Sequence, residues 1–243
     1  MYVDIISLRT FYNSPLGREV QKTILPIIEE KKLFVQGQIS AGFGYSLPYF
    51  PVREHWPASG DFFALMPSKI GSYCWPDKDH NLTILVQEDM LPLGCSTIDN
   101  FLLVHLLEFA ADPHSVLQEI WRVLLPHGRV VLIVPNRLGL WAQCSDTPFG
   151  HGFSYYRLQI QKLLQDCGFK ICDFQEGLKF SPFNRSTHGF AMDVYGKMRT
   201  KFFPNMGGVL VIEAQKDIYS AIAIQKEEQK IYKGLAPVTA NSS

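Results

Sequence analysis

Apolar residues recur every three or four positions near the start of the chain, and short apolar runs dominate its middle. Ser14 and Pro15 form a helix-start signal, because a proline at the first helical position has no N–H to lose. The apolar residues that follow at helical spacing are Leu16, Val20, Ile24 and Ile27. The pattern therefore predicts that the first thirty residues are helical.

Five short apolar runs predict strands, at residues 33–41, 62–66, 81–87, 98–103 and 129–134. The last run is apolar and mostly β-branched throughout, which is typical of a strand that is buried on both faces. An amphipathic helix is predicted over residues 113–125, with Asp112 as its N-cap and Pro126–Gly128 as its stop. Because strands alternate with helices, the pattern predicts βαβ units and a parallel sheet.

The last third of the chain predicts an amphipathic helix over residues 156–167, strands over 170–175 and 208–214, and a helix near 189–201. From residue 226 the sequence resembles a frayed helix with a disordered tail. We predict one domain over residues 1–225. Its N-terminal helical segment spans residues 1–32, its loop at 136–156 is a lid or substrate loop, and residues 226–243 form a tail.

Charge and cysteine content narrow the classes of partner. The 243 residues contain 23 Lys and Arg and 23 Asp and Glu, so the formal net charge is zero. Such a chain offers no general electrostatic attraction to nucleic acid or to an anionic membrane, and we expect neither as a partner. Five scattered cysteines without a CxxC pair predict reduced thiols in the cytoplasm and no zinc or other metal site.

No segment predicts targeting or membrane insertion. The start lacks a basic region followed by a long apolar run. The longest apolar stretch, residues 101–111, contains His105 and Glu108 and is shorter than the ~20 residues of a membrane span. We therefore expect a cytoplasmic protein.

Candidate chemistry collects where the predicted strands end. Gly42 and Gly44 follow the first strand, where glycines permit a tight turn and close approach of a ligand to the backbone. Asp89 and Met90 follow the third strand, and His105 follows the fourth. The carboxyl ends of parallel strands line the ligand crevice in such a sheet. The alternatives are an ordinary turn at the glycines and a solvated acidic turn at Asp89.

The segment after the fifth strand is dense with rings and glycines, and it predicts a wall or lid over the crevice. We expect a substrate to contact Trp141, Phe149, His151 and Tyr155. His105 and His151 are candidate general bases near neutral pH. The alternatives are that the rings only fill the domain core and that each histidine is a structural hydrogen-bonding residue.

Three segments carry a resemblance to a known family: VQEDMLPL, WRVLLPHGRVVLIVPN and GHGFSYYRLQIQKLLQDCGF. With GDFFALMPSKIG and STIDNFLLVHLLEFAADPHS, they resemble a class I S-adenosylmethionine-dependent methyltransferase of the type 11 kind, over residues 33–175. The resemblance implies an α/β, Rossmann-like, doubly wound fold. Its seven-stranded sheet is mostly parallel and has a C-terminal antiparallel hairpin.

The resemblance also implies S-adenosylmethionine as the cofactor and assigns residues to it. Those positions are Gly42, Phe43, Gly44, Met66, Asp89, Met90 and His105. Ser40 stands where the family usually has an acid before the glycines, and Ser46 stands at the third glycine position. No carboxylate follows the second strand, where the family binds the ribose hydroxyls.

These features predict methyl transfer from S-adenosylmethionine to an unidentified acceptor, a small molecule or a protein. The altered glycine loop and the missing acid favour an alternative, a non-catalytic binding or interaction module on the same fold. A nicotinamide-dependent dehydrogenase would need a full GxGxxG loop and an acid after the second strand, and this chain has neither.

Overall fold

The computed structural model describes residues 3–51, 62–182 and 207–218. The predicted helix near residues 189–201 and the predicted tail from residue 226 lie outside the described residues.

A seven-stranded sheet forms the centre of the molecule. The strands are β1 (Ser40–Gly44), β2 (Phe62–Pro67), β3 (Thr83–Val86), β4 (Ile98–Val104), β5 (Leu124–Pro135), β6 (Phe169–Gly177) and β7 (Val209–Lys216). They lie in the order β3-β2-β1-β4-β5-β7-β6. The pairs from β3 to β5 are parallel, and β7 is antiparallel to both β5 and β6. The fold class predicted from the sequence is confirmed.

Four α-helices accompany the strands in the described part of the chain: α1 (Ile5–Asn13), α2 (Pro15–Glu30), α3 (Pro113–Val123) and α4 (Arg157–Asp166). Ser14 ends α1 and caps α2, where its Oγ accepts a hydrogen bond from the Gly17 amide at 3.0 Å. Asp112 caps α3 as predicted and accepts from the His114 amide. None of the described helices is both long enough and apolar enough to cross a membrane.

Three predicted boundaries are wrong. The first strand is Ser40–Gly44 and not 33–41, so Gly42 and Gly44 lie inside β1, where Gly42 pairs with both β2 and β4 and Gly44 pairs with β4. A 3-10 turn at Leu47–Tyr49 follows β1. Helix α3 ends at Val123 and β5 begins at once, because residues 126–128, predicted to be a helix stop, continue as strand.

Side chains on the two faces of the sheet form two hydrophobic cores. One core packs under α3 and α4 and includes Phe43 and Leu103. The other packs under α1 and α2 and includes Met66, Val131 and Val211. With both faces covered, the carboxyl ends of the strands are the edge at which functional side chains can meet.

Lys31 ties the end of α2 to the C-terminal strands. Its buried ammonium group forms a short ion pair with Asp173 on β6 and lies 3.5 Å from Glu213 on β7. Burial alone would lower the Lys31 pKa, but the two carboxylates outweigh it and raise that pKa. The hydrogen bond from Lys31 holds the pKa of Asp173 below its usual 3.8.

We expect Lys31→Met to lower the free energy of unfolding by about 1–2 kcal/mol at pH 7, since Asp173 is partly screened by solvent. A carboxylate with a lowered pKa stabilises the fold above its unfolded pKa and loses that effect as the pH falls through its folded pKa. The difference between parent and variant should therefore shrink below about pH 4. Urea denaturation at pH 7 and pH 3 measures it, and a pH-independent difference would contradict this assignment.

Candidate functional site

The carboxyl ends of β1 and β4 lie in direct backbone contact. Gly44 pairs with Val104, and the next amide, that of Tyr45, donates to the Val104 carbonyl oxygen at 2.6 Å. Gly44 has a φ of +83°, and a Cβ on it would lie 2.2 Å from that same oxygen. Only glycine fits here, because both the backbone angle and the space exclude a side chain. This glycine is therefore explained by the approach of two strands.

His105 is the centre of a buried polar chain at the end of β4. It is 1% exposed and has a φ of +50°. Its Nδ1 lies 3.0 Å from Glu108 Oε1, and its Nε2 lies 2.9 Å from the hydroxyl of Tyr12 on α1. The Tyr12 hydroxyl is in turn 3.2 Å from that of Tyr49. Left-handed backbone in a buried non-glycine residue is often found at functional sites.

The protonation of this chain follows from burial. Burial and the neighbouring hydroxyl of Tyr49 raise the pKa of Tyr12 well above 10, and the charge of Glu108 adds to the effect. Burial also raises the pKa of Tyr49. Both tyrosines therefore keep their protons at neutral pH and act as donors. With Nδ1–H donating to the Glu108 carboxylate, Nε2 of His105 accepts from Tyr12.

Two buried side-chain polar atoms among the described residues have no hydrogen-bond partner: Ser46 Oγ and Glu108 Oε2. Ser46 follows β1 and Glu108 follows β4, and these two strands are neighbours in the sheet. A buried polar atom without a partner costs about 1–3 kcal/mol, so such atoms are rare in folded proteins. Both of them follow the pair of strand ends that forms the expected crevice.

The residues predicted to hold a cofactor are only partly brought together. Gly44 lies beside His105, whose carbonyl oxygen would be 3.0 Å from a Cβ on Gly44, but a Cβ on Gly42 would lie 1.9 Å from Ser46 Oγ and 2.6 Å from the Phe50 ring. The chain itself therefore fills the space next to Gly42. Asp89 is exposed and Met90 is 66% exposed, both at the outer strand β3.

Two further predicted cofactor residues are core residues in this structure. Phe43 points to the face covered by α3 and α4, opposite to Gly42. Met66 is fully buried in the other core, under α1 and α2. Neither side chain offers a surface at the crevice, because each is enclosed by apolar neighbours. Their assigned contact with a cofactor stays a prediction.

The segment after β5 contacts the chain at the end of β4. The Phe153 amide donates to the Glu108 carbonyl oxygen at 2.7 Å, and the ring of Phe149 is 4.9 Å from that of His105. Trp141, Phe149 and Tyr155 are nevertheless buried almost completely. Phe149 therefore covers His105, and the structure favours the alternative role, packing, for Trp141 and Tyr155.

His151 lies apart from this cluster. It is half-buried and lines a cavity of about 310 Å³ between the segment after β5 and α1. The structure brings His105, but not His151, into a chain of hydrogen bonds with a carboxylate. The role of His151 as a base or a substrate contact stays a prediction. No group of three His, Cys, Asp or Glu side chains in the described ranges could hold a metal ion.

Sequence reasoning missed three residues of this site: Tyr12, Ser46 and Glu108. Glu108 carried a signal, since it interrupts the long apolar run of residues 101–111. Ser46 was noted only as a departure from the family. Nothing local in the sequence joins Tyr12 to His105, 93 positions away, because α1 reaches the site only through tertiary packing.

Comparisons with known proteins agree on the fold. Residues 61–132 match the family model described as a methyltransferase domain. No curated protein matches the sequence.

Three solved structures illustrate the similarity. A methyltransferase in complex with the Haloferax volcanii Trm112 methyltransferase activator has 14% identity, a TM-score of 0.63, and covers 88% of this chain and 98% of its own. A Thermotoga maritima protein described as a possible histamine N-methyltransferase has 14% identity and a TM-score of 0.58. The match covers 88% of this chain and 96% of that protein. Geranyl diphosphate C-methyltransferase from Streptomyces coelicolor, bound to Mg²⁺, geranyl diphosphate and S-adenosyl-L-homocysteine, has 11% identity, a TM-score of 0.56, and covers 88% and 94%.

The strand order, the antiparallel β7 and these comparisons agree. The resemblance inferred from the sequence is confirmed: the chain has the fold of the class I S-adenosylmethionine-dependent methyltransferases, and its residues 61–132 match a methyltransferase domain.

Proposed function

We propose that the protein transfers a methyl group from S-adenosylmethionine to a small-molecule acceptor at the carboxyl ends of β1 to β4. The domain match and the fold both indicate S-adenosylmethionine as the cofactor. The observation that carries the proposal is the pair of buried polar atoms without partners, Ser46 Oγ and Glu108 Oε2.

The chemistry of these two atoms fits the amino-acid end of the cofactor. That end carries an ammonium group, which donates hydrogen bonds, and a carboxylate, which accepts them. Glu108 Oε2 is an acceptor, and the Ser46 hydroxyl can donate. Glu108 has a negative charge and, in the described part of the chain, pairs only with His105. A cationic group beside it would satisfy the free oxygen and balance the charge.

The outer part of the crevice suits the other end of the cofactor. Asp89 can accept a hydrogen bond from an adenine amino group, and the exposed Met90 can pack on the purine ring. The strand between, β2, ends at Met66 and Pro67 and supplies no carboxylate for ribose hydroxyls. The proposal therefore assigns protein contacts to the amino-acid end and to the adenine of the cofactor, and none to its ribose hydroxyls.

The bound cofactor supplies an electrophilic methyl group on a sulfonium centre. Glu108 fixes the His105 ring by accepting from Nδ1–H, which leaves Nε2 as the proton acceptor. A methyl acceptor that takes the place of the Tyr12 hydroxyl would give its proton to Nε2 of His105. Phe149 covers the ring and excludes water from it.

A second candidate function, a non-catalytic binding module, is favoured by a different observation. Phe50 and Ser46 fill the space beside Gly42, and the Tyr12 hydroxyl binds His105 Nε2. In a non-catalytic module, the hydrogen-bonded chain of Tyr12, His105 and Glu108 would only hold α1 to the sheet. The two functions differ in whether the protein binds S-adenosylhomocysteine.

We expect S-adenosylhomocysteine to bind in isothermal titration calorimetry, and 5′-methylthioadenosine, which lacks the amino-acid end, to bind at least tenfold more weakly. Ser46→Ala should weaken S-adenosylhomocysteine by about tenfold and leave stability unchanged, because its hydroxyl has no partner to lose. The matched control is Ser40→Ala, at the start of β1, the strand that Ser46 follows. Its Oγ donates to the Leu33 carbonyl oxygen at 2.7 Å, so it should lower stability by about 1 kcal/mol and leave the affinity unchanged.

Absence of binding by the parent protein would exclude the methyltransferase and leave the binding module. Equal affinity for the two ligands would contradict the roles given to Ser46 and Glu108.

A further inference from the structure

A cleft of about 740 Å³ opens between α1, α2 and the segment that connects β2 to β3. Its size lies within the range of small-molecule pockets, about 300–1,000 Å³. The side chains that bear on its chemistry are Arg9, Tyr12, Tyr45, Tyr73, Trp75 and Lys78. None of them was a candidate from the sequence, because they come from three separate parts of the chain.

The charge that lines this cleft is positive. Arg9 stacks over the ring of Tyr73, with its Cζ 4.9 Å from the ring centroid. Within the described residues, neither Arg9 nor Lys78 forms an ion pair. Among the described residues that line the cleft, Asp77 alone carries a carboxylate, and it already accepts from the backbone amides of Asp79 and His80 and lies 3.2 Å from His80 Nδ1. Two cations therefore face the cleft without a matching anion.

The remaining wall is aromatic. Tyr12 and Tyr45 lie with their ring centroids 5.5 Å apart, and Tyr73 adds a third ring. Trp75 adds a fourth ring. These rings offer flat apolar surface, and burial raises the pKa of the Tyr45 hydroxyl, which therefore adds no negative charge.

We propose that this cleft binds a small aromatic carboxylate, with Arg9 and Lys78 on the carboxylate and the tyrosine and tryptophan rings on its aromatic part. The proposal does not depend on methyl transfer, because it rests on residues outside the Ser46–Glu108 pair. Tyr12 belongs both to the cleft wall and to the polar chain that ends at Glu108. A ligand in the cleft is therefore a neighbour of the proposed transfer site, and it should bind together with S-adenosylhomocysteine.

The test uses benzoate, 4-hydroxybenzoate and indole-3-acetate as probes, each compared with its uncharged amide by calorimetry. At least one carboxylate should bind saturably, and at least tenfold more tightly than its amide. Arg9→Gln, with Lys78→Gln as a second variant, should weaken the binding of that carboxylate about tenfold and leave the affinity for its amide unchanged. The matched control is Arg157→Gln: Arg157 also stacks on a ring, that of Phe174 at 4.1 Å, but lies on α4.

Three results would overturn the proposal: no saturable binding by any of the three carboxylates, equal binding of acids and amides, or an equal loss in Arg157→Gln. Competition between a carboxylate and S-adenosylhomocysteine would also overturn it, because the cleft would then be the cofactor site. Binding of a carboxylate in a protein that does not bind S-adenosylhomocysteine would support the cleft and reject the proposed transferase. The two proposals therefore fail separately.

Discussion

Replacing Gly44 with alanine is expected to lower the free energy of unfolding by about 2–5 kcal/mol. A φ of +83° costs a residue with a side chain about 1–2 kcal/mol. The new Cβ would also lie 2.2 Å from the Val104 carbonyl oxygen, a backbone atom that accepts the Tyr45 amide and cannot move away freely. Overpacking of this kind adds about 1–3 kcal/mol.

Gly37→Ala separates the two causes. Gly37 has a φ of +80°, almost the same as Gly44, but no atom lies within 4 Å of its hypothetical Cβ. This variant should lose only the backbone term, about 1–2 kcal/mol. Urea denaturation of both variants measures the difference, and equal losses would show that β1 and β4 do not approach as closely as described.

Gly42 requires a different interpretation. A valine there would meet Ser46 and Phe50 before it met any ligand. Loss of cofactor binding in such a variant would therefore report a disturbed fold as readily as a blocked site. Ser46→Ala is the cleaner probe of this part of the crevice.

The second large effect concerns Glu108. Glu108→Leu should lower the free energy of unfolding by about 1–3 kcal/mol, because it leaves the buried Nδ1–H of His105 without an acceptor. Glu108→Gln keeps a carbonyl oxygen for that N–H and removes a buried charge, so its stability should stay within about 1 kcal/mol of the parent. Both variants should lose at least tenfold in affinity for S-adenosylhomocysteine, since neither retains the anionic oxygen.

Glu119→Gln is the matched control for this pair. The Glu119 carboxylate accepts from Arg122 and from the Leu91 amide on the outside of α3. The same substitution there should reduce stability without changing the affinity for S-adenosylhomocysteine. If Glu108→Gln bound the ligand as tightly as the parent, Glu108 would be a structural partner of His105 and nothing more.

The sheet could be predicted from the sequence because its evidence is local. Strands such as the one at residues 130–134 are continuous apolar runs, and Asp112 is a cap next to the helix that it begins. Strand β1 was misplaced for the opposite reason. Its sequence, SAGFG, has low intrinsic strand preference, and pairing with β2 and β4 makes it a strand.

The candidate site was harder to predict because its contacts are not local. His105 is a candidate because it follows a strand in the sequence, yet its partner Tyr12 lies on the first helix. The dense rings after β5 suggested a pocket wall, but Trp141 and Tyr155 are used to fill the cores. Sequence composition does not distinguish rings that face a ligand from rings that face each other.

The position of β7 has a consequence for synthesis of the chain. Of the seven strands described, β7 is the last in sequence, yet it lies between β5 and β6 and supplies the only strand partner of β6. Until residues 209–216 leave the ribosome, β5 has a free apolar edge and β6 has no place in the sheet. The nascent chain must therefore wait for its final strand before the sheet is complete, and it is open to aggregation during that interval.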